Sequence, residues 1–135
     1  MIHRKTEILD WEIEWYFFTT KENTDDVLSS LVSMNAQDSL LSKIERTNLL
    51  DKQNYGFTFS NMSRRKSIVV IGQTTSGQEF LNTFIHELRH LTDHIASTLH
   101  LDLSGEEVAY LAGDVAMTVG DIICKYSCDS CKNKN

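Results

Sequence analysis

No proline occurs in this chain of 135 residues, and its three cysteines all lie beyond residue 123. An odd number of cysteines at one end excludes a disulfide framework as the basis of folding. No stretch approaches the ~20 apolar residues that a membrane-spanning helix needs. The charged N-terminal segment also lacks the apolar run of a secretory signal. We therefore expect a cytoplasmic protein that makes no membrane contact.

Basic residues are comparatively few. The chain has 13 Lys and Arg against 19 Asp and Glu, which gives a net charge of -6. Nucleic-acid binding requires clustered basic side chains that neutralise phosphates. The one basic run, Arg64-Arg65-Lys66, lies in a predicted turn. This composition argues against a nucleic-acid partner.

The length and composition predict one globular domain over residues 1–135. Residues 120–135 are expected to form a frayed tail that carries the cysteines, because the chain ends in a polar run. Cys124, Cys128 and Cys131 are spaced closely enough for a metal or partner-docking site, but a fourth ligand is missing.

Hydrophobic periodicity predicts an α+β fold with a short antiparallel or mixed sheet. Alternation of Trp11, Ile13, Trp15 and Phe17 with polar residues indicates a strand with one covered face. In chain order, the predicted elements are that strand from Glu7, helices from Thr24 and Asp38, a hairpin formed by GFTFSN and KSIVVIG, a long helix from about Gln78, and a last helix from a Ser104 N-cap to about Lys125.

The segment 84–90 of the long helix reads FIHELRH. Residues i and i+4 share one face of a helix, so His86 and His90 can direct their imidazoles at one point. Zinc accepts neutral imidazole nitrogen, and catalytic zinc sites combine three protein ligands with a water molecule. Glu87 is placed to take a proton from that water. The spacing matches the HExxH metallopeptidase motif and predicts one Zn²⁺ per chain.

The simpler interpretation is two histidines on the surface of an amphipathic helix. Ile85, Leu88 and Leu91 flank the pair, which predicts a largely buried helix. Because buried unpaired imidazoles are costly and metal-bound ones are satisfied, this pattern favours the metal.

A third ligand must come from elsewhere in the chain. The candidates are Asp93, Glu106 and Glu107, with His94 and His100 less suited. Asp93 fits better as a second-shell acceptor that orients an imidazole N–H. Glu106 shares a helical stripe with the small residues Ala109 and Gly113, and Glu107, nearer the apolar face, is the alternative. Both could instead be first-turn charges that complement the helix dipole.

Tyr110 is four residues beyond Glu106. Its hydroxyl is therefore a candidate for stabilising an oxyanion, as a catalytic residue alongside Glu87.

The first glutamate of EEVAYLAG lies sixteen positions after the last histidine of HELRH. This combination resembles small gluzincin-type zinc metallopeptidases, particularly compact zincin-like proteins of phages and gut bacteria. The resemblance covers about Ile68 to Val119. It implies a zincin-like domain with His86, His90 and Glu106 as ligands and Glu87 as general base. It also implies that KSIVVIG lies near the cleft, where a peptide could add to its edge.

The chain departs from the thermolysin-like pattern in two ways. Tyr110 stands where those enzymes have an aspartate, and no second large lobe is present to deepen a cleft. The expected function is hydrolysis of peptide bonds, with a peptide or protein substrate or one dedicated regulatory protein, as in an anti-repressor-like peptidase of a mobile element. The alternative is a zincin-shaped binding or regulatory protein with a structural or vestigial zinc site.

Overall fold

A computed structural model describes residues 1–128. These residues form an α+β fold with a four-stranded mixed sheet and five α-helices. The elements are β1 (Ile2–Ile8), β2 (Trp11–Thr19), α1 (Thr24–Ser33), α2 (Asp38–Arg46), β3 (Gly56–Asn61), β4 (Lys66–Gly72), α3 (Gly77–Thr98), α4 (Glu106–Met117) and α5 (Gly120–Tyr126).

The first strand region is a hairpin, where the sequence predicted one strand from Glu7. β1 pairs antiparallel with β2, and Leu9 and Asp10 form the connection. Both of these residues have positive φ, at 49° and 62°. Two consecutive positive φ values are typical of type I′ hairpin turns, which Asn and Gly usually occupy. Asp tolerates this conformation but Leu disfavours it, so the Leu-Asp pair gave only a weak turn signal in the sequence.

The sheet has the strand order β1-β2-β4-β3. β2 and β4 are parallel, and β3 is antiparallel to β4. The predicted hairpin of GFTFSN and KSIVVIG is confirmed. The expectation that a peptide adds to the edge of KSIVVIG is wrong, because β4 is paired on both sides. The edge strand of this part of the sheet is β3.

Helices cover both faces of the sheet, so β2 is buried on both sides. One face carries Trp11, Ile13, Trp15 and Phe17, which pack against α3, α4 and α5. On the opposite face, Tyr16 and the β4 residues Ile68 and Val70 pack against α1 and α2. The single covered face predicted for this strand is thus corrected to two.

Helix α3 begins as predicted, near Gln78. The Ser76 hydroxyl accepts a hydrogen bond from the backbone N–H of Glu79 at 3.0 Å and caps the first turn.

Within residues 1–128, every helix is too short or too polar to cross a membrane.

The single last helix that the sequence predicted is two helices, α4 and α5, separated by Thr118 and Val119. The N-cap of α4 is Gly105 instead of Ser104. Ordered structure continues into the predicted tail, because Tyr126 of α5 packs against Phe18 with ring centroids 4.7 Å apart. Cys124 and Cys128 are exposed, and Cys131 lies outside the described residues.

Candidate metal centre on helix α3

The two histidines of the HELRH segment converge. The Nε2 atoms of His86 and His90 lie 3.2 Å apart, and their ring centroids are separated by 4.9 Å. Two nitrogens bound to one tetrahedral zinc ion at ~2.0–2.1 Å lie about 3.3–3.4 Å apart. The separation and the imidazole chemistry therefore fit zinc as two of its ligands.

The environment of the pair differs from the buried helix that the sequence predicted. His86 and His90 are exposed, and Ile85 beside them is 53% exposed. Exposed imidazoles carry no burial cost, so burial does not favour a metal at this pair. The buried member of the motif is Glu87, at 4% exposure.

Glu87 is held between α3 and β3. The Thr58 hydroxyl donates a hydrogen bond of 2.8 Å to Oε1 of Glu87. Within residues 1–128, no side-chain polar atom is both buried and unsatisfied. Oε1 of Glu87 is thus fixed by Thr58, and the residue borders a solvent-filled cavity.

Close approach of β3 to α3 depends on Gly56. A Cβ at this position would lie 2.7 Å from the carbonyl oxygen of Val70 and 3.0 Å from Cγ of Glu87. Both distances are shorter than ordinary van der Waals contact. Only glycine lets the strand pass over Glu87 at this spacing.

The motif opens on a cleft between α3 and β3. His86, Glu87 and His90 line a cavity of about 340 Å³ together with His94 and the segment 55–58. A neighbouring cavity of about 300 Å³ shares His86 and Glu87 and adds Asn54 and Asn82. The imidazoles and the carboxylate thus face one solvent-filled space bordered by the edge strand.

His94 ends a hydrogen-bonded chain that the sequence analysis missed. Its Nδ1 lies 2.7 Å from the Ser60 hydroxyl, which lies 2.6 Å from the Ser67 hydroxyl. The Trp11 indole N–H donates to Ser67 at 2.8 Å. Burial and, secondarily, the neighbouring His90 lower the pKa of His94. This imidazole is therefore held neutral with a fixed ring orientation.

Thr58 and Ser60 alternate on β3, so the sequence indicates that they share a face. It carries no signal that this face meets the HELRH helix. That contact depends on the strand order.

The other predicted site residues lie elsewhere. Glu106 and Glu107 line a separate cavity with His100 and Asp102, and Tyr110, which is 70% exposed, lines another with Glu107. Within residues 1–128, no three His, Cys, Asp or Glu side chains are grouped closely enough to hold a metal ion. The third-ligand role of Glu106 or Glu107 and the oxyanion role of Tyr110 stay predictions.

Asp93 accepts two hydrogen bonds of 3.0 Å from Nε of Arg89, one on each carboxylate oxygen. In this arrangement its carboxylate is engaged by the guanidinium of the same helix. Its role in orienting an imidazole stays a prediction.

Comparison with known proteins found no family model, no curated protein and no solved structure that matches the chain.

Proposed function

We propose that this protein is a zinc-dependent metallopeptidase of zincin-like type in which His86 and His90 bind the metal and Glu87 is the general base. The observation that carries the proposal is a buried carboxylate placed directly beside two converging imidazoles on one cleft. Glu106, with Glu107 as the alternative, is the proposed third ligand. Tyr110 remains the candidate for the oxyanion role.

Zinc bound at this point would supply Lewis-acid polarisation of a carbonyl group and acidify water. The protein supplies the proton acceptor. Thr58 fixes Oε1 of Glu87 by its hydrogen bond and leaves Oε2 to take a proton from water in the cleft. The same oxygen can then deliver that proton to the leaving amine.

The edge of β3 is the proposed binding surface for a peptide substrate. Phe57 and Thr58 border the cleft, and β3 pairs with β4 on its inner side only. An extended peptide that adds to the outer edge would place its backbone beside His86, Glu87 and His90. A peptide substrate thus fits this cleft through main-chain hydrogen bonds.

Elemental analysis of bound zinc and cleavage of a quenched fluorogenic peptide library test this proposal. We expect one zinc per wild-type chain, loss of zinc in His90→Ala, and retained zinc without cleavage in Glu87→Gln. The proposal fails if His90→Ala binds as much zinc as wild type. It also fails if Glu87→Gln cleaves as fast as the zinc-loaded wild type.

The third ligand is tested separately by comparing Glu106→Gln with Glu107→Gln. Loss of a protein ligand weakens zinc binding, whereas loss of a first-turn charge leaves it unchanged. We expect Glu106→Gln to lower zinc affinity and Glu107→Gln to act as its matched control. The reverse order would assign the ligand to Glu107.

The second candidate function is a zincin-shaped binding or regulatory protein whose zinc is structural or vestigial. Exposure of both histidines and the placement of Glu106 and Glu107 on other cavities favour it. If zinc-loaded wild type cleaves no peptide while zinc raises the melting temperature, this candidate replaces the peptidase.

A further inference from the structure

We propose that a groove between the β1–β2 turn and α4 binds a segment of another protein that carries one large apolar side chain flanked by Lys or Arg. The groove has a volume of about 280 Å³. Its apolar lining consists of Ile8, Leu9, Leu99, Leu101, Tyr110 and Leu111. This groove does not include His86, Glu87 or His90, although Glu107 and Tyr110 line it. The inference goes beyond the proposed function and does not require zinc.

Leu9 is the first observation that indicates binding. It has a φ of 49° and is 60% exposed. Side chains other than those of Gly, Asn and Asp are disfavoured in this left-handed region, and an exposed leucine gains little from folding. Neither the turn nor the core explains a leucine here. A contact with a partner in the groove does.

Helix α4 supplies the opposite wall. Tyr110 and Met117 are 70% and 73% exposed, and together with Glu107 and Asp114 they follow each other at spacings of three and four residues. Residues at these spacings form one stripe on a helix. Large apolar side chains exposed beside a concave apolar surface are typical of protein interaction sites.

The charge at the groove selects the partner. Glu107 and Asp114 line it, and among residues 1–128 no Lys or Arg does. In the part of the chain that the structure describes, neither carboxylate forms an ion pair. Basic residues beside the inserted side chain would complement both carboxylates.

The volume of the groove and the composition of residues 129–135 bear on which molecule binds in the groove. The groove volume of about 280 Å³ lies at the lower end of the range for ligand pockets, about 300–1,000 Å³, and is sufficient for one large apolar side chain. Residues 129–135 of the chain carry two lysines but no large apolar side chain. The charge complementarity thus favours a segment of a different protein as the occupant.

Selection of a phage-displayed random 12-residue peptide library on the immobilised full chain tests the proposal. We expect enriched peptides with Leu, Ile, Met, Phe or Trp within two positions of Lys or Arg. Leu9→Asn should weaken their binding about tenfold or more, and Asp114→Asn should weaken it less and reduce its salt dependence. Leu103→Asn is the matched control, because Leu103 is 45% exposed and does not line the groove; it should bind as wild type.

The melting temperature of Leu9→Asn separates binding from folding. Asparagine suits a positive φ better than leucine, so the variant should melt at or above the wild-type temperature. The proposal is overturned if no peptide is enriched, if enriched peptides lack basic residues or bind Leu9→Asn as tightly as wild type, or if this variant melts several degrees lower.

Discussion

Replacing Gly56 by alanine is the sharpest test of how the cleft is built. The added methyl would lie 2.7 Å from the Val70 carbonyl oxygen, a backbone atom of the paired strand, and 3.0 Å from Cγ of Glu87. The backbone atom cannot rotate away as a flexible side chain could. β3 must therefore shift relative to β4 or α3.

Overpacking of this kind costs about 1–3 kcal/mol, and the lower entropy of the unfolded alanine chain offsets about 0.4–1 kcal/mol. We expect a net loss of about 1–2 kcal/mol for Gly56→Ala, measured by urea denaturation. A chain of 135 residues changes its melting temperature by about 3–5 °C per kcal/mol. The expected decrease is therefore about 3–10 °C.

Gly113→Ala is the matched control, because a Cβ at Gly113 in the middle of α4 meets no atom within 4 Å. Alanine is favoured over glycine in a helix by about 0.5–1 kcal/mol, so this variant should melt about 2–5 °C higher than wild type. Gly56→Ala should also keep its zinc but cleave more slowly, since a shift of β3 moves the Thr58 hydroxyl that fixes the Glu87 carboxylate and leaves the histidines of α3 in place. If Gly56→Ala melts no lower than wild type, the close approach of β3 is wrong.

Two further predictions concern the contact of Thr58 with Glu87, and two concern Tyr16 and the cysteines. Thr58→Val removes the donor to the buried Glu87 carboxylate and should lower the unfolding free energy, measured by urea denaturation, by about 1–2 kcal/mol. Thr58→Ser keeps the hydroxyl and should lower it less; equal losses would contradict the role of the hydroxyl. Glu87→Gln keeps an acceptor for Thr58 and removes a buried charge, so its unfolding free energy should equal or exceed that of wild type; a loss above about 1.5 kcal/mol would make Glu87 a structural residue. Burial raises the pKa of Tyr16 to about 12 in the folded state, above the unfolded value of ~10. The unfolding free energy should therefore be unaffected by this group below pH 10 and fall by roughly 2 kcal/mol as the pH rises through 12. If Tyr16→Phe loses as much unfolding free energy as wild type over this pH range, Tyr16 is not the cause. Truncation after Tyr126 removes two of the three cysteines and should leave zinc binding unchanged, whereas loss of zinc would assign the metal to the cysteines.

Features set by local geometry were predictable from the sequence. The convergence of His86 and His90 follows from helical periodicity, and the second hairpin follows from two short strand-like segments joined by a polar turn. The strand order was not predictable, because pairing of β2 with β4 joins segments that are distant in sequence. The contact of Thr58 with Glu87 depends on that order.

The missed boundaries differ in their cause. At the break in the last predicted helix, Gly120 directly follows Thr118 and Val119 and was a usable signal. Leu9 and Asp10, in contrast, turn the chain without glycine or asparagine. Turn prediction relies on residues whose intrinsic preferences fit the backbone. Where packing of the neighbouring elements imposes the turn, the local sequence carries no such signal.

The burial of Glu87 distinguishes a functional site from a chance pair better than the histidines do. Any helix brings imidazoles at i and i+4 together, so their separation of 3.2 Å is weak evidence alone. A carboxylate at 4% exposure costs free energy, and glycine inside a strand costs about 0.5–1 kcal/mol relative to alanine. Gly56 and Glu87 come from different elements and meet at the same cleft. Two costs at one point support the proposed chemistry at this cleft, and the proposal expects an uncharged residue at position 87 to fold at least as well.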